Sequence, residues 1–304
     1  MNRDTEIRAR AFIFLDALRA DQGDALSRDA LLRGFDYQGE RVPLLGPQGI
    51  FKPRLLTDAP LSITTAPIKE GKVRPYEDEV GPDGLIRYRY RGTDPNHYQN
   101  VGLRTAMHQR IPLVYFVGLV PGKYAEEYPA FIVGDDPATL SFSVAIDEVD
   151  GGSVAQPQVM DGANARRAYI TTLAQRRVHQ QGFRERVLAA YEQCCAICRL
   201  KHRPLLDAAH ILPDSHPRGE PHVSNSLALC KIHHAAYDAD ILGIRQDLVI
   251  VIRNEVLEEH DGPMLTHGLQ LLHGKALGFV PRSADLRPNP AHLSERFERF
   301  SKRA

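Results

Sequence analysis

The chain has 304 residues, with 38 Lys and Arg against 38 Asp and Glu, so its formal charge is zero. Its composition is that of a soluble globular protein long enough for two domains, each with its own core. No apolar run approaches the ~18 residues needed to cross a bilayer, and the charged opening MNRDTEIRAR carries no secretory signal. A cytoplasmic protein is therefore expected. The zero sum hides an asymmetry: residues 1–152 carry 18 Lys and Arg against 22 Asp and Glu, whereas residues 153–304 carry 20 against 16. The second half is the better suited to meet a phosphate backbone.

Residues 5–20 place Ile7, Ala11, Phe12, Phe14, Leu15 and Leu18 at helical spacing. Ser27 is a candidate N-cap for a short second helix that Gly34 can end. From Gly39 to about Val80, apolar pairs broken by Pro and Gly predict short strands and turns. LIRYRYRG (85–92) alternates apolar or aromatic residues with Arg and predicts a strand; Asn100 to Arg110 predicts a helix. The continuous apolar run IPLVYFVGLV (111–120) predicts a buried strand, PAFIVGD (129–135) another, and LSFSVAI (140–146) a third. Residues 1–150 thus form a β-rich α+β domain. A stretch poor in large apolar residues, 151–165, is the expected linker to a second domain at 166–304. That domain opens with one or two helices over 166–193, carrying Arg176, Arg177 and Arg184 among six arginines before Glu192, an excess that makes them candidates to contact a phosphate backbone.

All four cysteines and six of the thirteen histidines lie between Tyr191 and Gly243. Grouped cysteines in a reducing compartment read as metal ligands. Cys195 and Cys198 are spaced C-x-x-C, and Cys230 and His233 are spaced C-x-x-H. Two ligands three apart on a tight turn can point at one tetrahedral ion, and three thiolates with one imidazole suit a structural zinc. Cys194 reads as a buried bystander, and His202, His216 and His222, in Pro-rich text, as solvated side chains. The gap between the half-sites, 31 residues, exceeds the ~15–20 of small zinc folds. It holds Asp207, His210 and Asn225, and His234 follows directly behind the second half-site.

The order His210, Asn225, His234 inside this frame resembles the HNH nucleases, also called ββα-metal or His-Me finger nucleases. The wider run, including RRVHQQGFRERVLAAYEQCCAICRL, LLDAAHILPD, NSLALCKIHHAAYDADILGI and EEHDGPMLTHGLQLLHG, resembles predicted restriction endonucleases with a C-terminal HNH module. The resemblance implies two strands and a helix around one divalent cation, Mg²⁺ or Mn²⁺. It makes His210 the general base, Asn225 the residue that holds its loop, and His234 a ligand of the cation. Many members carry Asp or His just before the base, where this chain has Ala209. Asp207 projects to the same face of the strand as Ala209 and is the expected second ligand, with Asp238 and Asp214 as substitutes.

The function expected is a DNA endonuclease that cuts double-stranded DNA, in the manner of a modification-dependent restriction enzyme acting as a homodimer. Its alternatives are a nicking or non-specific nuclease effector and a zinc-dependent DNA-binding regulator without activity. By analogy with other two-domain nucleases, the first domain would be a reader of the target, PUA-like or SRA-like in fold. The stretch IRYRYRGTDPNHYQNVGLR offers Arg87, Tyr88, Tyr90, Arg91, Asp94, Tyr98, Asn100 and Arg104 for a base drawn out of the duplex, namely aromatic faces to stack on and polar groups for its edge.

Overall fold

In the computed structural model, residues 2–67, 80–147, 161–260 and 262–302 are described, and the chain divides into two compact units, Met1–Gly182 and Phe183–Ala304. The chain is mixed α and β. No described helix is long and apolar enough to cross a membrane.

The first unit begins with α1 (Arg3–Gln22), whose N-cap Asn2 accepts a hydrogen bond from the Asp4 backbone N–H and whose run ends at Gly23. β1 (Leu26–Ser27) leads into α2 (Arg28–Arg33), capped by the Ser27 hydroxyl and stopped by Gly34 at φ 58°. The short strands β2 (Phe35–Tyr37), β3 (Glu40–Val42), β4 (Ile50–Phe51) and β5 (Ser62–Thr65) follow. Then come β6 (Ile86–Arg89), α3 (Tyr98–Gln109), β7 (Leu113–Val120), β8 (Lys123–Asp136), β9 (Ser141–Ile146) and α4 (Asp161–Ala190).

The main sheet runs β4-β5-β7-β8-β9-β6, with β1 paired to β8. Its pairs are antiparallel except β5 with β7. The apolar run of β7 is continuous because both faces are covered. Val114 and Phe116 join Ile7, Ala11, Leu15 and Leu31 of α1 and α2 in one core. Leu113, Tyr115 and Val117 join Leu103 and Ala106 of α3 and Ile170, Ala174 and Val178 of α4 in the other. The strand expected at 129–135 is the second half of the longer β8, and the helical text at 166–193 forms the single helix α4. The expected linker, 151–165, lies outside the described residues as far as Met160; α4 is described from Asp161.

In the second unit the end of α4 supplies Phe183, Val187 and Leu188, and the turn after it Tyr191, to a separate core. β10 (Leu206–His210) and β11 (Ser226–Cys230) form an antiparallel hairpin with Leu206 opposite Cys230 and His210 opposite Ser226. α5 (Lys231–Asp238) leaves β11 without a loop. A second hairpin, β12 (Leu242–Ile244) with β13 (Ile250–Ile252), packs on the same core. The short helices α6 (Asn254–Glu258) and α7 (Pro263–Gly268) and the terminal α8 (Pro290–Ser301) complete the unit, α8 through the buried Leu293.

Candidate active site and metal centre

The two Cys/His half-sites meet. The ligand atoms of Cys195, Cys198, Cys230 and His233 all lie within 4.8 Å of one another. His233 Nδ1 is 3.5 Å from Cys195 Sγ and 3.2 Å from Cys230 Sγ, and the sulfurs of Cys198 and Cys230 are 4.0 Å apart. A tetrahedral zinc with bonds of about 2.3 Å to sulfur and about 2.0 Å to nitrogen has edges of roughly 3.5–3.8 Å. The donor set therefore fits that ion in both chemistry and spacing. The Cys195 and Cys198 thiols and the His233 imidazole favour the thiolate of Cys230, which is also the N-cap of α5.

The chain around these donors is arranged to hold them. The first turn closes through Arg199 N–H to Cys195 O, with Arg199 at φ 61°, and is stitched to β11 by Ala196 N–H to Ala228 O at 2.7 Å. Gly278 approaches it so closely that a Cβ there would sit 2.7 Å from Ile197 O. The other ring nitrogen of His233, Nε2, donates to Gly268 O at 2.8 Å, which fixes the ring with Nδ1 toward the sulfurs. Cys194 is buried but stands outside the cluster, and burial raises its pKa.

His210 ends β10 half-buried, its ring stacked on Phe183 with centroids 4.4 Å apart. Its Nε2 is buried with no protein partner among the described residues. Burial is the main cause that lowers the His210 pKa; His234 lowers it further, while Asp214 and Asp238 oppose the shift.

Asn225 is 2 % exposed at the turn before β11. Its Oδ1 accepts from Leu212 N–H, and its Nδ2 donates to Leu212 O, both at 3.0 Å, and to Glu220 O at 3.2 Å. Its backbone carbonyl accepts from Ile211 N–H at 2.9 Å. The two residues after His210 are thus clamped by one asparagine.

His234, on the first turns of α5, stands between two carboxylates. Its Nδ1 is 3.4 Å from Asp207 Oδ2, and its Nε2 is 3.3 Å from Asp238 Oδ2. Asp207 also meets Lys231 Nζ at 2.5 Å and Arg184 Nε at 3.7 Å. Burial pushes the Asp207 pKa up, but Lys231 and His234 outweigh it and hold the carboxyl below its usual value. A hard divalent cation keeps several waters and needs only one or two protein donors. His234 with either carboxylate meets that requirement; at the Asp207 corner the cation would compete with Lys231, whereas Asp238 is largely exposed.

The residues expected to touch DNA fall into distinct settings. Arg184 is spent on the chain itself, donating to Leu206 O at 2.7 Å and Arg203 O at 3.1 Å. In the first unit Arg176 is exposed, and Arg177 reaches the buried carboxylate of Glu127 at 3.3 Å. Tyr88 and Tyr90 are core residues, 7 % exposed, packed on Tyr115 and Phe142, so neither ring offers a free face. The alternation of β6 turns Tyr88 inward while Arg89 faces out. Asn100 is wholly buried, accepting from Arg91 N–H and donating to Arg91 O and Asp94 O. Arg104 pairs with Asp135, which also accepts from the Tyr90 hydroxyl, and Arg87 pairs with Asp83. The exposed members are Arg91, Asp94 and Tyr98, the last stacked on His97 with centroids 4.6 Å apart.

Sequence reasoning passed over α8. His292 Nδ1 lies 3.0 Å from Asn225 Oδ1, and Glu295 meets His216 at 3.1 Å and pairs with Arg218. His216 is therefore a bound side chain rather than a solvated one. The helix carries charged and apolar residues in ordinary proportion, and only contacts 67 and 77 residues distant reveal its role.

Residues 195–245 match a family model described as HNH endonuclease. Among curated proteins no match was found. Among solved structures the chain is similar to a modification-dependent TagI restriction endonuclease, at 16% identity over 80% of this chain and 82% of that one, with a TM-score of 0.30. A likeness at that level fixes neither fold nor activity. The family match covers the hairpin, the helix, the four clustered Cys and His residues and His210, Asn225 and His234 together, and residues 195–245 are accordingly an HNH endonuclease domain.

Proposed function

We propose that the chain is a DNA endonuclease of the restriction type in which His210 is the general base, Asn225 sets its position and His234 is a ligand of a catalytic divalent cation, Mg²⁺ or Mn²⁺. One observation carries the reading: the half-buried, neutral imidazole of His210 ends a strand whose next two residues are clamped by Asn225. An inert zinc module has no need of such an arrangement. When bound, the cation neutralises charge on the scissile phosphate and its leaving oxygen. The residues of the chain do the rest. With Nε2 buried, Nδ1 is taken as the basic atom: the neutral ring carries its own proton on Nε2 and takes the water's proton on Nδ1 as the water attacks phosphorus. His234 and one flanking carboxylate, Asp207 or Asp238, supply the protein side of the cation site. The Cys195/Cys198/Cys230/His233 zinc holds the hairpin and α5 together and takes no part in the chemistry.

The first unit is read as the part that selects the target, a modified base among the candidates, through its exposed Arg91, Asp94 and Tyr98. Cutting both strands of a duplex needs two sites or two visits, and a homodimer meets that need. Supercoiled plasmid, unmodified, methylated or hydroxymethylated, tests the reading. Cleavage should stop in mild EDTA while zinc is retained, and return with Mg²⁺ or Mn²⁺. Binding without cutting under every metal would favour the regulator instead.

A further inference from the structure

We infer that His292, on the first turn of α8 and outside residues 195–245, is a positioning residue for this site: its Nδ1–H sets the Asn225 amide that clamps the loop after His210. The inference rests on the nuclease reading above.

Leu212 donates its N–H to Asn225 Oδ1 and accepts from Asn225 Nδ2, so the amide has only one orientation that satisfies both. The atom facing His292 is therefore the oxygen, an acceptor, and at 3.0 Å the Nδ1 of His292 must carry the proton. Oδ1 then accepts two bonds and Nδ2 donates two, the full capacity of the group. Burial lowers the pKa of His292 and Arg218 adds to that, while Glu295 opposes it. Either protonation state of Nε2 leaves the Nδ1–H in place.

The rest of α8 is fastened at both ends of the site, so His292 is presented by a rigid support. At its start, Asn289 N–H donates to Ser224 O at 2.8 Å, one residue before Asn225. One turn on, Glu295 holds His216 and Arg218 in the loop that joins His210 to Asn225. Further along, Arg296 pairs with the fully buried Asp240 and donates to Tyr237 O at 2.5 Å, at the end of the helix that carries His234. One helix thus ties the loop that follows the base to the helix that carries the metal-ligand candidate.

Removing the His292 donor leaves Asn225 bonded to Leu212, so the hairpin should fold while the amide loses one of its restraints. Small misplacements of a reacting group cost up to ~100-fold in rate. With supercoiled plasmid and Mg²⁺, His292→Leu should lower kcat ~10- to 100-fold while KM for DNA moves less than about two-fold and zinc content is unchanged. His292→Asn, which places an N–H donor where Nδ1 stood, should recover to within about three-fold of wild type. An unaltered kcat in His292→Leu would overturn the inference, and so would His292→Asn being as slow as His292→Leu, which would assign the residue to packing. ¹⁵N NMR of the wild-type ring gives a test independent of cleavage: an Nδ1–H in slow exchange is expected, and an Nε2–H tautomer contradicts it. His210→Ala run in parallel keeps the two ideas apart. Full cleavage in that variant sinks the choice of base, whereas a dead His210→Ala beside a fully active His292→Leu sinks only the present inference.

Discussion

An imidazole can serve as a base near neutral pH only while it is uncharged, and two features keep His210 in that state. Burial under Phe183 costs the charged form its hydration, and His234 nearby lowers the pKa further. Because the pKa lies below the ordinary 6.5, the neutral fraction grows as pH rises through that lower value. The acid limb of kcat should therefore be centred below pH 6.5, with a plateau by about pH 7. A limb centred above 7 would contradict this assignment. The Cys/His ligand cluster was legible because its paired spacing is a chemical constraint, and His210, Asn225 and His234 were singled out by their resemblance to the HNH order inside that frame. The identity of the second carboxylate was not, since Asp207 and Asp238 both reach His234 and only Asp207 is already matched by Lys231 and Arg184.

Among the elements, the hairpin and α5 are short and depend on staples. β10 and β11 have five residues each and α5 has eight, too few to persist without partners. Binding of structural zinc supplies folding free energy directly, of the order of 10 kcal/mol in small modules. Cys198→Ser should lose the metal, measured as zinc per chain, and abolish the cooperative melting of the second unit. Retention of both would show that the ion and the fold do not depend on Cys198. A second staple is Arg296 with Asp240, a buried pair to which Arg299 adds a contact at 3.2 Å. Arg296→Ala leaves Asp240 short of its main partner and should destabilise the unit by about 3 kcal/mol in denaturant melts. A loss under ~1 kcal/mol would mean that water or Arg299 replaces the pairing. The sequence made β7 visible because both faces are apolar. It hid the first half of β8, where Glu126 and Glu127 stand in mid-strand and are answered by Arg19 and Arg177 from helices distant in the chain. α8 was hidden for the same reason: its partners lie 56 to 77 residues away.

For the molecule as a whole, two compact units in one chain suit the proposed division of labour in which one unit selects and the other cuts. The second half of the chain carries the surplus of basic residues, and the first half is slightly acidic. A reader that grips one base needs little electrostatic adhesion, so selection should depend on the base itself. Cutting rates on unmodified, methylated and hydroxymethylated plasmid are expected to differ at least ten-fold between the best and the worst. Equal rates on all three would remove the modified-base reading of the first unit. The aromatic text that suggested such a reader proved to be core because inward and outward residues alternate along β6, and which face is inward depends on the sheet it joins. That pairing, of Tyr88 with Phe142, was beyond what local pattern could reveal.

The most direct measurement compares wild type with His210→Ala for cleavage of supercoiled plasmid in Mg²⁺ and Mn²⁺, with zinc content and DNA binding recorded on the same samples. The expected result is loss of cleavage by at least ~100-fold with one zinc per chain and DNA binding retained. Undiminished cleavage by a folded, zinc-loaded His210→Ala would contradict the account at its centre.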